Sequence, residues 1–200
     1  MTDATAETVR QTTFTQEILG WQPWIETVDE IDATPEQLAA VDALAKARQS
    51  RAYWATLAHD PETLRTRMAL FKEILTGEGG GPRSDRELAA TATSRVTSCI
   101  YCASVHARAY SGLVKERETM QRLLDVGPAA ELGPRERAIV DYSVKLALEP
   151  DTVTAEDLTP LRNAGLSDLE ILDVTNASAI FANANRLMAT LGEARRPANR

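Results

Sequence analysis

The sequence predicts an all-α protein, and three observations carry that prediction. Helix start and stop signals recur from residue 34 onward, no segment shows a convincing period-two strand pattern, and the breaks between periodic stretches are short, which favours antiparallel helix neighbours. On this reading the chain divides into an N-terminal arm over 1–33, a helical domain over 34–192 and a C-terminal tail over 193–200. With 200 residues, 44% of them hydrophobic and 26% charged, it is long enough to build one substantial core.

The elements follow in order. Trp21-Gln22-Pro23-Trp24 sets two large rings beside a helix breaker, which predicts an extended arm pinned by aromatic burial. Thr34-Pro35 supplies an N-cap and a first-turn proline, and Leu38, Val41, Leu44 and Ala45 line one face of a helix reaching about Ser50. A segment from Arg51 to Ala58 carries Tyr53, Trp54 and Leu57. Asp60-Pro61 opens the next helix, with Leu64, Met68, Phe71 and Leu75 inward and Gly77 as its stop. After the break at Gly79-Gly80-Gly81-Pro82, Ser84 with Glu87 reads as the capping box of a helix to about Thr97. Another helix runs from Ser98 to Ser111, ended by Gly112. Further helical stretches are Lys115–Val126, Pro134–Leu148, Thr154–Ala164 and Ser167–Leu191. The run from Ser84 to Leu88 is echoed by Ser167 to Ile171, either a degenerate internal repeat, in which Cys99, Cys102 and His106 fall opposite Ala182, Asn185 and Ala189, or the chance recurrence of a common helix start.

Composition excludes several functions. A net charge of −7 repels phosphate backbones and anionic membrane surfaces, so neither nucleic acid nor a membrane is an expected partner. The N-terminus has no basic region followed by an apolar run, and no stretch approaches the roughly 18 apolar residues of a membrane span. A cytoplasmic location is expected. In a reducing compartment, two cysteines three positions apart read as redox-active or metal-binding rather than structural.

The stretch that carries chemistry is Cys99-Ile100-Tyr101-Cys102-Ala103-Ser104-Val105-His106. On an α-helix, positions i, i+3 and i+7 fall within about 60° of one another, so both sulfurs and the imidazole share one face. A thiolate is the reactive form of cysteine, and three features here favour it. A helix starting near Ser98 places Cys99 at the positive end of the dipole, His106 can take a proton from Cys102 one turn away, and Glu87 can hold the imidazole's tautomer and stabilise its charged form. On one unbroken helix Glu87 would lie about 28 Å from His106. The relay therefore demands a chain reversal at Thr97–Ser98, which would set Glu87 opposite about Ala109. The bland alternatives are a purely capping Glu87, a structural His106, and a zinc site built from Cys99, Cys102, His106 and Glu87, which lacks the usual fourth Cys or His. His59, just before an N-cap, reads as structural.

These residues resemble the AhpD-like alkylhydroperoxidases of the carboxymuconolactone decarboxylase superfamily, in the peroxidase-related branch. The carrying pattern is E-x11-C-x2-C-x3-H, from Glu87 through Cys99, Cys102 and His106, with LRNAGLSDLEILDV and Asn185-Arg186-Leu187 also similar. The resemblance implies an AhpD-like helical bundle that forms a homo-oligomer and reduces an organic hydroperoxide substrate. It implies that Cys102 attacks the peroxide, Cys99 resolves the product as a disulfide, and His106 with Glu87 relays protons. It also implies no bound cofactor or metal and an external dithiol reductant, lipoyl-like or thioredoxin-like. A dipole argument alone would instead choose Cys99 as nucleophile. Tyr101 departs from the pattern, standing where the best-characterised members carry a histidine. The competing functions are a dithiol–disulfide oxidoreductase or redox sensor acting on a protein partner, and a non-catalytic helical oligomer with vestigial cysteines. If an oligomer forms, the Trp21–Trp24 arm is expected to cross onto a partner.

Overall fold

The computed structural model describes residues 8–29, 31–43 and 51–198. Two short strands, β1 (Thr8–Arg10) and β2 (Gly20–Pro23), precede α1 (Pro35–Asp42), α2 (Arg51–Leu57) and α3 (Pro61–Thr76). The central part comprises α4 (Arg83–Val96), α5 (Ile100–Val114), α6 (Glu118–Val126) and α7 (Pro134–Leu148). The short α8 (Thr159–Asn163), the long α9 (Asp168–Leu191) and β3 (Gly192–Pro197) complete the described chain.

Helix α4 is the axis of the fold: α5, α7 and α9 pack on it, and every residue from Asp85 to Ser94 is buried. Its composition explains why it can be central. Ala89, Ala90, Ala92, Thr91, Thr93 and Ser94 are small enough for close helix approach. Buried hydroxyls at Thr91 and Ser94 donate to the carbonyls of Glu87 and Ala90 four residues back, at 2.8 and 2.7 Å, whereas the buried Thr93 hydroxyl has no side-chain hydrogen bond. Around this axis Leu88, Met120, Leu123, Ile139, Val140, Leu161 and Val174 form the main core.

Most helix signals operate as the sequence predicts. Thr34 and Gln37 form a capping box, Asp60 caps α3 through the Thr63 N–H, and Ser167 with Glu170 caps α9. Leu44, Ala45 and Ser50 of the first expected helix lie outside the described residues. Four boundaries differ. Helix α4 starts at Arg83 behind Pro82 with no side-chain cap, and Glu87 turns inward instead of back to Ser84. Helix α5 passes through Gly112 and ends at Lys115, which takes a left-handed φ of 62°. One glycine costs a helix only about 1 kcal/mol, so Gly112 does not by itself end α5. Helix α6 begins at Glu118 rather than Lys115, and the 154–164 stretch divides into a 3-10 turn at Ala155–Leu158 and α8. The internal echo does not extend to structure, since α9 runs unbroken where the first copy reverses.

The strands are the departure from an all-α reading. A three-stranded antiparallel sheet of order β1-β3-β2 pairs Thr8 with Pro197 and Trp21 with Ala194. Strands of three to six residues are too short to show a period, and their stability comes from partners at the opposite end of the chain. Trp21, 7% exposed, donates through Nε1 to the Met188 carbonyl at 3.2 Å and meets the Tyr53 ring edge-on at 5.3 Å. Gly192 permits this, because a Cβ there would collide with the Trp21 ring and the Gln22 carbonyl. The arm is thus pinned at Trp21 on its own chain, while Trp24 stays exposed. Between the strands, the Glu17 carbonyl accepts from Ser104 and Arg108 of α5 at 2.6 Å each. No helix among the described residues is long and apolar enough to cross a membrane.

Candidate active site

The chain reverses where the sequence demands it. Helix α4 ends at Val96, Ser98 takes a left-handed φ of 61°, and Cys99 is the N-cap of α5. The Cys99 N–H closes the turn on the Ser94 carbonyl at 3.0 Å. A left-handed serine costs about 1–2 kcal/mol, so something must hold it. Buried Asn185 of α9 does so, donating to Thr97 Oγ1 at 2.8 Å and accepting from Ser94 Oγ at 3.2 Å. A rigid reversal follows, and α4 and α5 lie face to face.

That arrangement brings Glu87 to His106. The carboxylate, 1% exposed, takes the His106 Nδ1–H on Oε2 at 2.6 Å. Its Oε1 accepts two N–H groups of Arg83 at 3.0 and 2.8 Å. Burial alone would raise the Glu87 carboxyl, but the hydrogen bonds and charges of His106 and Arg83 outweigh it and hold the group below the usual carboxylate range. With Nδ1 as the donor, Nε2 is the ring's acceptor. The imidazole is fixed further by Phe181, whose ring stands edge-on at 4.1 Å.

The two cysteines are free, buried thiols joined by a hydrogen bond. That bond from Cys102, opposed by burial and aided by the backbone N–H groups of Cys102 and Tyr101, holds the Cys99 thiol below its ordinary value. The same bond pushes Cys102 well up, with burial and the Cys99 charge adding to it and only Arg67 opposing. Cys102 Sγ also contacts Met188 Sδ at 3.3 Å.

Cys102 and His106 open together into a cavity of about 260 Å3, walled by Tyr53, Trp54, Met68, Phe71 and Phe181 and bearing Arg67. Arg67 donates to the Tyr53 hydroxyl at 3.3 Å and to Asn183, and stands 4.6 Å over the Phe71 ring. Burial pushes the Tyr53 phenol well above the tyrosine range, with Arg67 only partly opposing, so the phenol stays a donor. Two larger concavities, about 610 Å3 between α3 and α9 and about 1190 Å3 beside α1, contain none of the four predicted site residues.

All four predicted residues therefore meet in two contacting pairs, Glu87 with His106 and Cys99 with Cys102. Sequence reasoning missed Tyr53, Arg67, Phe181 and Asn185 as parts of the site. The first three come from helices whose apolar faces show at helical spacing, but nothing in that spacing says which face covers the cysteines. His59 bonds the Glu26 carbonyl at 2.9 Å, away from the site. Among the described residues no three His, Cys, Asp or Glu side chains converge as metal ligands.

The carboxymuconolactone decarboxylase family model matches residues 61–144, which include Glu87, both cysteines and His106. A peroxidase-related protein with an alkylhydroperoxidase AhpD core from Ralstonia eutropha JMP134 is 26% identical, with 92% of this chain and 94% of that one covered and a TM-score of 0.72. A peroxidase-related protein from Silicibacter sp. TM1040 is 23% identical over 85% of this chain and 92% of that one, with a TM-score of 0.68. The debrominase Bmp8 is 19% identical over 84% of this chain and 90% of its own, with a TM-score of 0.67. The last two likenesses show the fold alone. No curated protein matches the sequence.

Proposed function

For a chain that carries the carboxymuconolactone decarboxylase domain on an AhpD-like fold, we propose a thiol-dependent peroxidase acting on organic hydroperoxides. The observation that carries this reading is that His106, held from behind by Glu87, lines one apolar cavity together with Cys102. The hydrogen bond between the thiols lowers Cys99 and raises Cys102, so Cys99 ionises before Cys102 and the two titrate as a unit. The cycle starts when the Cys102 proton passes to His106 Nε2, where Glu87 compensates the imidazolium charge. Cys102 attacks the terminal oxygen of the hydroperoxide, the O–O bond breaks, and the departing alkoxide takes the proton from His106. The sulfenic acid on Cys102 is then attacked by the Cys99 thiolate, releasing hydroxide, which becomes water on protonation, and forming the disulfide. An external dithiol returns both sulfurs to the reduced state.

Direct exchange with a folded protein's disulfide is disfavoured by the burial of both sulfurs, each 4% exposed. A homo-oligomer is part of the proposal, supported by large apolar side chains left on the surface, among them Trp24 at 56%, Leu70 at 54% and Leu172 at 53% exposed. The decisive experiment is an anaerobic thiol count before and after one equivalent of cumene hydroperoxide. Loss of both thiols with release of the alcohol is expected, and an unchanged count refutes the reading.

A further inference from the structure

The two cysteines line different concavities. Cys102 lines the apolar cavity of about 260 Å3 and not the cleft behind it. Cys99 lines that cleft, about 110 Å3 between the start of α5, the end of α9 and the sheet, and not the cavity. Tyr101 and Met188 line both and form the partition. The linings differ in chemistry. The cavity is aromatic and aliphatic, whereas the cleft is rimmed by Arg10, Gln11, Ser98 and Glu193, with Arg10 and Glu193 paired at 3.2 Å.

From this partition we propose that the two halves of the cycle use separate mouths: the hydroperoxide enters the cavity to Cys102, and a small polar dithiol enters the cleft to Cys99. The proposal rests on the peroxidase reading for its first half only. In the second half one thiol of the dithiol gives its proton to water and attacks Cys99 Sγ as a thiolate, the Cys99–Cys102 bond breaks, and Cys102 leaves as a thiolate that takes a proton from water. The second thiol of the reductant gives its proton to water, attacks the reductant sulfur of the mixed disulfide and expels Cys99 as a thiolate. Two electrons pass from the dithiol to the pair, and the dithiol leaves as a disulfide. The last leaving group is well placed, because the backbone N–H groups of Tyr101 and Cys102 already stabilise charge on Cys99. A cleft of this size admits the end of a narrow molecule and excludes a folded protein surface.

Two substitutions, one at each mouth, test the partition in the full-length chain. Ala189 is exposed on α9 at the cleft, and Met68 of α3 walls the cavity, so Ala189→Trp and Met68→Trp each narrow one opening. The disulfide is made with diamide, and its reduction by dithiothreitol is followed by stopped flow, which needs no peroxide turnover. Ala189→Trp should be reduced at least tenfold more slowly than Met68→Trp, and Ala189→Arg should behave likewise. Oxidation of the reduced proteins by cumene hydroperoxide should show the reverse order. Equal reduction rates in the two variants, or a slower Met68→Trp, overturn the separate mouths. A wild-type chain inert to cumene hydroperoxide overturns the peroxidase reading, while the dithiothreitol rates still decide the cleft.

Discussion

Replacing Glu87 by glutamine removes one negative charge and almost no volume from a fully buried position of the site. The carboxylate accepts three hydrogen bonds, one from His106 Nδ1 and two from Arg83. An amide cannot satisfy both partners. If its oxygen faces His106, its NH2 is set against the Arg83 guanidinium, donor against donor. If it faces Arg83, the NH2 meets Nδ1 and forces the other tautomer, so Nε2 becomes a donor and no longer accepts the Cys102 proton. One charge-assisted bond contributes about 1.5–3 kcal/mol, so kcat/KM for cumene hydroperoxide should fall by roughly 10- to 150-fold. Stability should fall by a similar energy, about 2–4 °C in Tm per kcal/mol for a chain of this size. The acid limb separates the electrostatic role from simple packing. Because the native Glu87 carboxyl lies below its unfolded value of about 4.3, the unfolded chain binds more protons near that pH, and stability rises with pH there. The contribution is complete above the unfolded value and is lost as pH falls through the folded one. Urea melts between pH 3 and 6 should show a steeper acid loss in the wild type than in Glu87→Gln. A variant that keeps kcat/KM within twofold and the same acid slope would refute the relay.

Three further outcomes follow from the same geometry. In Cys102→Ala the Cys99 thiol loses its strongest stabilising bond, so the pH midpoint of its alkylation by iodoacetamide should rise relative to the first midpoint of the wild type; an unchanged midpoint would show that the backbone N–H groups alone hold it down. Asn185→Ala removes the two hydrogen bonds that tie α9 to the reversal, although the Thr97 and Ser94 hydroxyls keep their bonds to the Thr93 and Ala90 carbonyls, and should cost about 1–3 kcal/mol in urea melts, with a matching loss of peroxide turnover; a melt unchanged from the wild type would remove Asn185 from its holding role. Sedimentation at micromolar concentration should give a species larger than 21.8 kDa, and Trp24→Ala should weaken it while leaving the Trp21 contacts intact; a clean monomer in the wild type would end the oligomer proposal.

Helix content was legible in the sequence because its signals are local. Thr34-Pro35, Asp60-Pro61 and the Ser167–Glu170 box act within one turn of themselves, and the structure uses each of them. The candidate site was legible for a related reason: Cys99, Cys102 and His106 fall within two helical turns, so spacing alone places them on one face. Glu87 was legible only conditionally, through the demand for a reversal at Thr97–Ser98. Tertiary structure decided everything that depends on distant partners. Ser84–Glu87 reads locally as a cap, yet the interior offers Glu87 an imidazole and a guanidinium, and that outweighs a surface cap. The strands at Thr8–Arg10 and Gly20–Pro23 have too few residues to declare themselves and exist because β3 returns to pair with them. The partition of the two sulfurs between a cavity and a cleft belongs to the same class, since its walls come from α2, α3, α9 and the sheet. Sequence specifies which groups share a helix face, and only packing specifies what that face meets.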